Sequence, residues 1–222
     1  MDCAGVTDFR ERPLDAVEAH VCRLERLLRE SRFESLTYLS TLGVYRRAGA
    51  PAREDDPLPL LPGSDLYSMS KAMGESLVLS CHPRGRVVRL ASVYGPDLRS
   101  QLFVASVLRE VVATGELTLR TALESSRDYV SVYDVAECLV DIATVGRHRV
   151  YNVASGRKVS NGQLAARLMG LTGCRVTVTP GAPRVSYPRM DTERVRQEFG
   201  LEASDLLEDI PGLLDVYRDA VG

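Results

Sequence analysis

Apolar residues recur along the chain at two spacings, and each spacing predicts a different kind of element. Leu14, Val17, Val21, Leu24, Leu27 and Leu28 step by three and four, the stripe of one amphipathic helix, and Pro13 suits its first turn. That helix is expected to run to about Arg29. Residues 35–40, SLTYLS, are short, β-favouring and apolar enough for a buried strand. Residues 49–62 are rich in proline and carry Glu54, Asp55 and Asp56, which reads as a surface loop. A second helix is expected over 66–80, stopping near Cys81, with Pro83 and Gly85 as punctuation. RVVRLA, 86–91, is the next strand, residues 92–100 with Gly95 and Pro96 a loop, and Phe103, Val107 and Val111 mark a further helix.

Beyond Gly115 the elements shorten. Strands are expected over 117–120, 129–132, 150–153 and 176–179. Asp134 with Glu137 could cap a helix to about Val145, and Ser160 with Gln163 has capping-box spacing ahead of Leu164, Leu168 and Met169. Two helices, about 191–199 and 206–221, end the chain. Strands and helices alternate without repeats, so the expected fold is α/β, a doubly wound parallel sheet. Residues 1–100 would form its core, with about 127–155 returning to it. Residues 101–222 would mostly form a smaller, interwoven lobe.

Composition narrows the function classes. The 222 residues are 45% hydrophobic and 26% charged with a net charge of −2, enough for one substantial core and no electrostatic footprint for nucleic acid. No apolar run approaches the ~20 residues that span a bilayer, and MDCAGVTDFRERP lacks the basic and apolar regions of a secretory signal. The expected location is cytoplasmic, away from membranes. Five cysteines and three histidines are dispersed without metal-ligand spacing, so reduced thiols and no metal site are expected.

Candidate chemistry centres on LYSMSKAMGESLVLS, 66–80. Tyr67 and Lys71 stand four apart and share a helical face, where an ammonium can stabilise a tyrosinate and make the phenol a general acid or base. A tyrosine one turn from a lysine is also ordinary on any helix. The chain, however, contains 26 arginines and two lysines, so a lysine here points to a task for a compact ammonium. Upstream, SLTYLS runs into Thr41, a hydroxyl at the carboxyl end of a strand, where parallel sheets bind ligands.

YLSTLGVY, the Tyr67–Lys71 pair, RLASVYGP (89–96), RDYVSVYDVAE (127–137), YNVASG (151–156) and DTERVRQEFGL (191–201), in that order, resemble the extended short-chain dehydrogenases, the NAD-dependent epimerase/dehydratase family. The resemblance implies a Rossmann-like fold with a substrate lobe and an enzyme acting on a small molecule. Thr41 would hydrogen-bond the reacting oxygen and Tyr67 would be the acid/base. Lys71 would tune the tyrosine and bind the nicotinamide ribose. Ser92 stands where the family often has a substrate-binding asparagine, and Arg127 matches an arginine that meets a pyrophosphate; the plainer alternatives are a loop serine and a surface arginine opening a strand. The resemblance also implies a homodimer through the helices at about 14–29 and 67–80, the first of which carries Ala16, Ala19 and Val21 beside its main stripe.

Four departures matter. The family's Gly-rich turn, whose amides hold the dinucleotide pyrophosphate, has no match here. The first residues, CAGV, resemble the family's fourth strand, so the Rossmann-like sheet is expected to be truncated and NAD(P) binding weak or absent. His20–Val21–Cys22–Arg23–Leu24 replaces a stretch in which the family has an asparagine and a close-packing glycine. Leu42 and Gly43 stand where sugar 4,6-dehydratases carry Asp and Glu, which argues against carboxylate-assisted dehydration.

Three readings follow: a redox epimerase or reductase whose cofactor site is completed elsewhere, an acid/base enzyme using Thr41, Tyr67 and Lys71 on a carbonyl or hydroxyl substrate without redox by this chain alone, and a non-catalytic binding or scaffolding remnant. The missing turn and Arg23 favour the second.

Overall fold

The computed structural model describes residues 12–45, 51–58 and 65–220; the strand expected at CAGV lies outside them. The first helix is continuous but not uniform. α1 (Pro13–Val17) passes through a π-helical turn, Glu18–Cys22, into α2 (Arg23–Glu30). The extra residue in that turn rotates the buried face. Ala16, His20 and Leu24 point inward, while Leu14, expected on the buried stripe, is 82% exposed.

β1 (Leu36–Thr41), β2 (Gly85–Leu90) and β6 (Val150–Val153) form a parallel sheet in the order β1-β2-β6. Alternation of side chains explains why helices cover both faces. On one face of β1, Tyr38 donates to the carbonyl of His20 and Ser40 to Glu75 of α3 (Leu66–Cys81). On the other, Ser35, just before the strand, donates to the carbonyl of Ala143 in α5 (Val132–Val145). β2 repeats this pattern: Arg89 faces Glu75, while Arg86 donates to the carbonyls of Gly146 and Ala143. The expected α/β fold with a parallel, Rossmann-like sheet is what forms.

A short strand, β3 (Ser92–Tyr94), occupies part of the expected loop and pairs in parallel with β5 (Ser126–Ser131), which in turn pairs antiparallel with β7 (Lys158–Ser160). Three residues of SVY between turn-forming neighbours carry too little pattern to show this. α4 (Phe103–Thr114) precedes β4 (Glu116–Leu119), which pairs with β8 (Arg175–Val178). α6 (Asn161–Thr172) begins with the expected capping box, Ser160 and Gln163 satisfying each other's backbone amides. For α5 the cap is Ser131 rather than Asp134, whose carboxylate instead holds Ser204.

α7 (Glu193–Phe199) and α8 (Leu206–Asp219) close the fold. Pro211 inside α8 cannot donate to the carbonyl of Leu207, and Arg167 Nε donates to it instead at 2.9 Å.

Two corrections concern sites of close packing. The acidic stretch expected as a surface loop is tied inward: Ala52 exchanges backbone hydrogen bonds with Arg189 and Asp191, and Glu54 is buried, accepting from the amide of Asn152. Arg23 does not obstruct packing, because it faces outward. The close approach is made at Gly74, where a Cβ would lie 2.3 Å from the Tyr38 hydroxyl and 2.9 Å from the carbonyl oxygen of His20.

Candidate active site

β1 ends at Thr41, and α3 starts beside it because Asp65 caps its first turn, accepting from the Ser68 amide at 2.8 Å. Tyr67 is therefore set in the first turn of α3, opposite the carboxyl end of β1. Thr41 and Tyr67 meet at this point, where the Thr41 hydroxyl favours the charged form of the Tyr67 phenol. Thr41 Oγ1 accepts from the Gly43 amide at 3.1 Å, which fixes its rotamer. Both residues line a cleft of about 410 Å³, together with Ser92 at the start of β3, Arg127 on β5, Phe103 at the start of α4, and Tyr187.

Lys71 does not line this cleft. It lies behind the Tyr67 ring, 7% exposed, with Nζ donating to the carbonyl of Leu39 at 3.0 Å. Nζ is 5.2 Å from the centroid of the Tyr38 ring and 6.0 Å from that of Tyr67. Burial pulls the ammonium down to about 8, an effect that the nearby carboxylate of Glu75 partly offsets. Tyr67 moves in the opposite direction from that expected of a lysine-tuned phenol. Burial pushes it above the ordinary tyrosine value; the Thr41 hydroxyl lowers it, and Asp65 and Tyr187 add to the rise. Near neutral pH the pair is thus a neutral phenol, able to donate, backed by an ammonium.

His20, which sequence reasoning noted only as a departure, packs edge-on to Tyr67 with ring centroids 5.4 Å apart. Ser70 Oγ donates to the carbonyl of Tyr67 at 3.0 Å and lies 2.9 Å from His20 Nδ1. Burial and then Lys71 pull the His20 imidazole down to about 4, so the ring is neutral.

The other end of the cleft is electropositive. The Arg127 guanidinium lies 5.4 Å from the Phe103 centroid and 5.8 Å from that of Tyr187, and makes no ion pair among the described residues. α4 opens there, its first residues lining the cleft, without a side-chain cap on the amides of its first turn. Ser92 Oγ is likewise without a hydrogen bond among the described residues. Tyr187 gave no signal in sequence, because it sits in an irregular segment and its role depends on which cation it meets.

Leu42 is buried and apolar and Gly43 has no side chain, so neither position supplies a carboxylate beside Thr41. A dinucleotide finds half of a site. Tyr67 lines the cleft, where a ribose would meet it, but Lys71 Nζ is buried behind the ring. Among the described residues no glycine-rich turn leads from the carboxyl end of β1, β2 or β6 into a helix, and the N-terminus of α3 is already capped by the Asp65 carboxylate. No group of metal-ligating side chains occurs among the described residues, and no helix there is long and apolar enough to cross a membrane.

A dTDP-glucose 4,6-dehydratase from Streptomyces griseus is 28% identical over 194 residues, which are 83% of this chain and 58% of the dehydratase. The chain thus spans a little over half the length of that relative. Among solved structures, the NAD-dependent NDP-hexosamine 5,6-dehydratase TunA, of tunicamycin biosynthesis, superposes with a TM-score of 0.86 at 24% identity, covering 99% of this chain and 75% of that one. A UDP-glucuronic acid 4-epimerase from Bacillus cereus, solved with UDP-glucuronic acid and NAD, gives 0.81 at 18% identity, covering 98% and 74%. The sequence profile of the NAD dependent epimerase/dehydratase family matches residues 3–154, about two-thirds of the chain, and the chain therefore belongs to that family.

Proposed function

We propose that this cleft is an acid/base site for a nucleoside-diphosphate sugar bearing a carbonyl or hydroxyl group, acting by proton transfer without redox by these 222 residues alone. The observation that carries the reading is the Thr41–Tyr67 hydroxyl pair at the cleft, with Lys71 behind it. A substrate oxygen there would accept from both hydroxyls. As negative charge grows on that oxygen, the Tyr67 proton moves to it, and the Lys71 ammonium stabilises the phenolate left behind. Arg127 and the open N-terminus of α4 would take the diphosphate, with Ser92 contacting the sugar between the two ends. The nucleotide sugars of the relatives, dTDP-glucose and UDP-glucuronic acid, support this class of ligand. Leu42 and Gly43, which follow Thr41, argue against a carboxylate-driven 4,6-dehydration. NAD(P), when bound, supplies hydride transfer; on this reading the 222-residue chain binds it weakly or not at all, for want of a pyrophosphate cradle.

Two measurements test this. The chain is incubated with a dTDP-4-keto-6-deoxyhexose in D2O, and proton NMR follows exchange at the carbons next to the carbonyl. Tyr67→Phe is expected to slow exchange ~10²–10⁴-fold with little loss of thermal stability. Equal rates in the two proteins would reject the assignment of Tyr67. Calorimetry with NAD⁺, NADH, NADP⁺ and NADPH should show no low-micromolar binding; tight binding would return the chain to the redox reading.

The same reading includes a homodimer. Leu14, Met69 and Met73 are exposed on the helices expected to pair, and a second copy would cover them. Light scattering should give twice the chain mass, and a monomer at high concentration contradicts the pairing.

A further inference from the structure

One turn beyond Lys71, Glu75 occupies the same face of α3 and is 3% exposed. Its carboxylate is fixed on three sides. Ser40 Oγ donates to Oε1, and Arg89 donates through Nε at 3.1 and 3.2 Å and through Nη2 at 2.7 Å. Arg89 is itself buried, with Nη1 donating to the Tyr45 hydroxyl and to the carbonyl of Glu54 at 3.1 Å. A buried ion pair is weak evidence of stabilisation, because desolvating two charges cancels much of their attraction. Its placement is more informative. Ser40 and Arg89 are partners in the β1–β2 register, and the carbonyl of the preceding residue, Leu39, receives Lys71 Nζ. The carboxylate and the lysine's one acceptor are thus held by adjacent residues of one strand.

The other groups around Lys71 carry no negative charge at neutral pH. Tyr38 and Tyr67 present their rings, their phenols pushed up by burial, and His20 is neutral. Farther along the network lie Arg89 and the Tyr45 phenol, which is pushed up to about 12. Glu75 is the carboxylate that favours the charged form of Lys71.

We propose that Glu75 is a positioning residue of the site, a counter-charge locked in place by Arg89 and Ser40 that keeps Lys71 an ammonium behind Tyr67 at neutral pH. The proposal rests on the acid/base reading of Tyr67, but its central test does not. The chain contains two lysines, Lys71 and Lys158, so lysine labelled with ¹³C gives two sets of side-chain signals, assigned with Lys158→Arg. Titration should place the Lys71 midpoint near 8. In Glu75→Gln the Lys71 midpoint should fall by about one pH unit, and Glu75→Asp should return it toward the parent. If Glu75→Gln does not fold because Arg89 is left unpaired, the double variant Glu75→Gln/Arg89→Gln is compared with Arg89→Gln, so that the two proteins differ only in the carboxylate and the same fall is expected between them. An unchanged Lys71 midpoint in the variant that folds overturns the proposal.

Deuterium exchange into the 4-ketohexose adds a separate readout. Its alkaline limb should follow the Lys71 midpoint and move to lower pH in Glu75→Gln. A Lys71 shift without any Tyr67-dependent exchange would overturn the acid/base reading and leave Glu75's electrostatic role standing. Exchange that depends on Tyr67, with an unmoved Lys71, would do the reverse.

Discussion

The two hydrophobic cores of this protein are built on different terms. The core between α4, α6, α8 and the strands beside them is assembled from side chains such as Leu108, Leu164, Leu168, Ile210 and Leu214, with a tyrosine hydroxyl only at its margins, as where Tyr217 donates to the carbonyl of Asp97. The core around β1, β2 and β6 shares its interior with His20, Glu54, Lys71, Glu75, Arg86, Arg89 and Asn152. Apolar burial contributes stability without orientation, whereas a buried polar group is tolerated only when its partners are fixed. The sheet half accepts that desolvation cost and holds Lys71 behind Tyr67. The more apolar half places Phe103 at the cleft from the start of α4, and β5 places Arg127 there.

Truncation in the apolar core should give the larger effect on stability. Leu168→Ala removes a fully buried side chain and is expected to cost about 2–5 kcal/mol in chemical denaturation. Exchange chemistry at Tyr67 should be unchanged at temperatures where the variant is folded. A variant that kept its stability but lost exchange would erase the distinction between the halves.

A smaller effect should appear in the pH dependence of stability, where two buried groups oppose each other. Folding lowers His20 from 6.5 to about 4, so between these values the unfolded chain binds more protons and stability is lost as pH falls through the window. Folding raises Asp128 from 3.8 to about 6, chiefly through burial, although Ser155 donates to Oδ1 from both its amide and its hydroxyl. Between 3.8 and 6 the folded chain therefore holds the extra proton, and stability falls as pH rises. The two slopes nearly cancel over the shared range. In Asp128→Asn the thermal midpoint should drop more steeply than the parent's from pH 6.5 to 4, and His20→Gln should flatten or invert the parent's trend. Identical slopes in parent and variants would show that these groups do not titrate as their burial implies.

Sequence pattern was sufficient where one element settles its own structure. The capping box of α6 depends on residues 160 and 163 alone, and the strand at 85–90 shows its burial in its composition, whereas the strand at 36–41, expected to be buried, is only half-buried along most of its length. It was insufficient where a neighbour decides the outcome. Leu14 satisfied the helical stripe, but the π-helical turn shifted the buried face to Ala16, His20 and Leu24. Glu54 looked like a loop carboxylate until the amide of Asn152 was found to meet it. The Tyr67–Lys71 spacing was legible because a helix repeats every 3.6 residues, yet the expected sign of the phenol's shift was wrong because spacing carries no information about burial.

By itself the sequence determined the alternation of strands and helices, the alignment of Tyr67, Lys71 and Glu75 along one helical face, and the hydroxyl at the end of β1. These are local properties, set by backbone periodicity and side-chain type. Only the tertiary structure decided that Arg127 lies between Phe103 and Tyr187, that Lys71 sits behind the phenol rather than in the cleft, and that Arg89 claims Glu75. Those arrangements join residues far apart in the chain. They depend on which surfaces leave water together, a property of the packed molecule and not of any one segment.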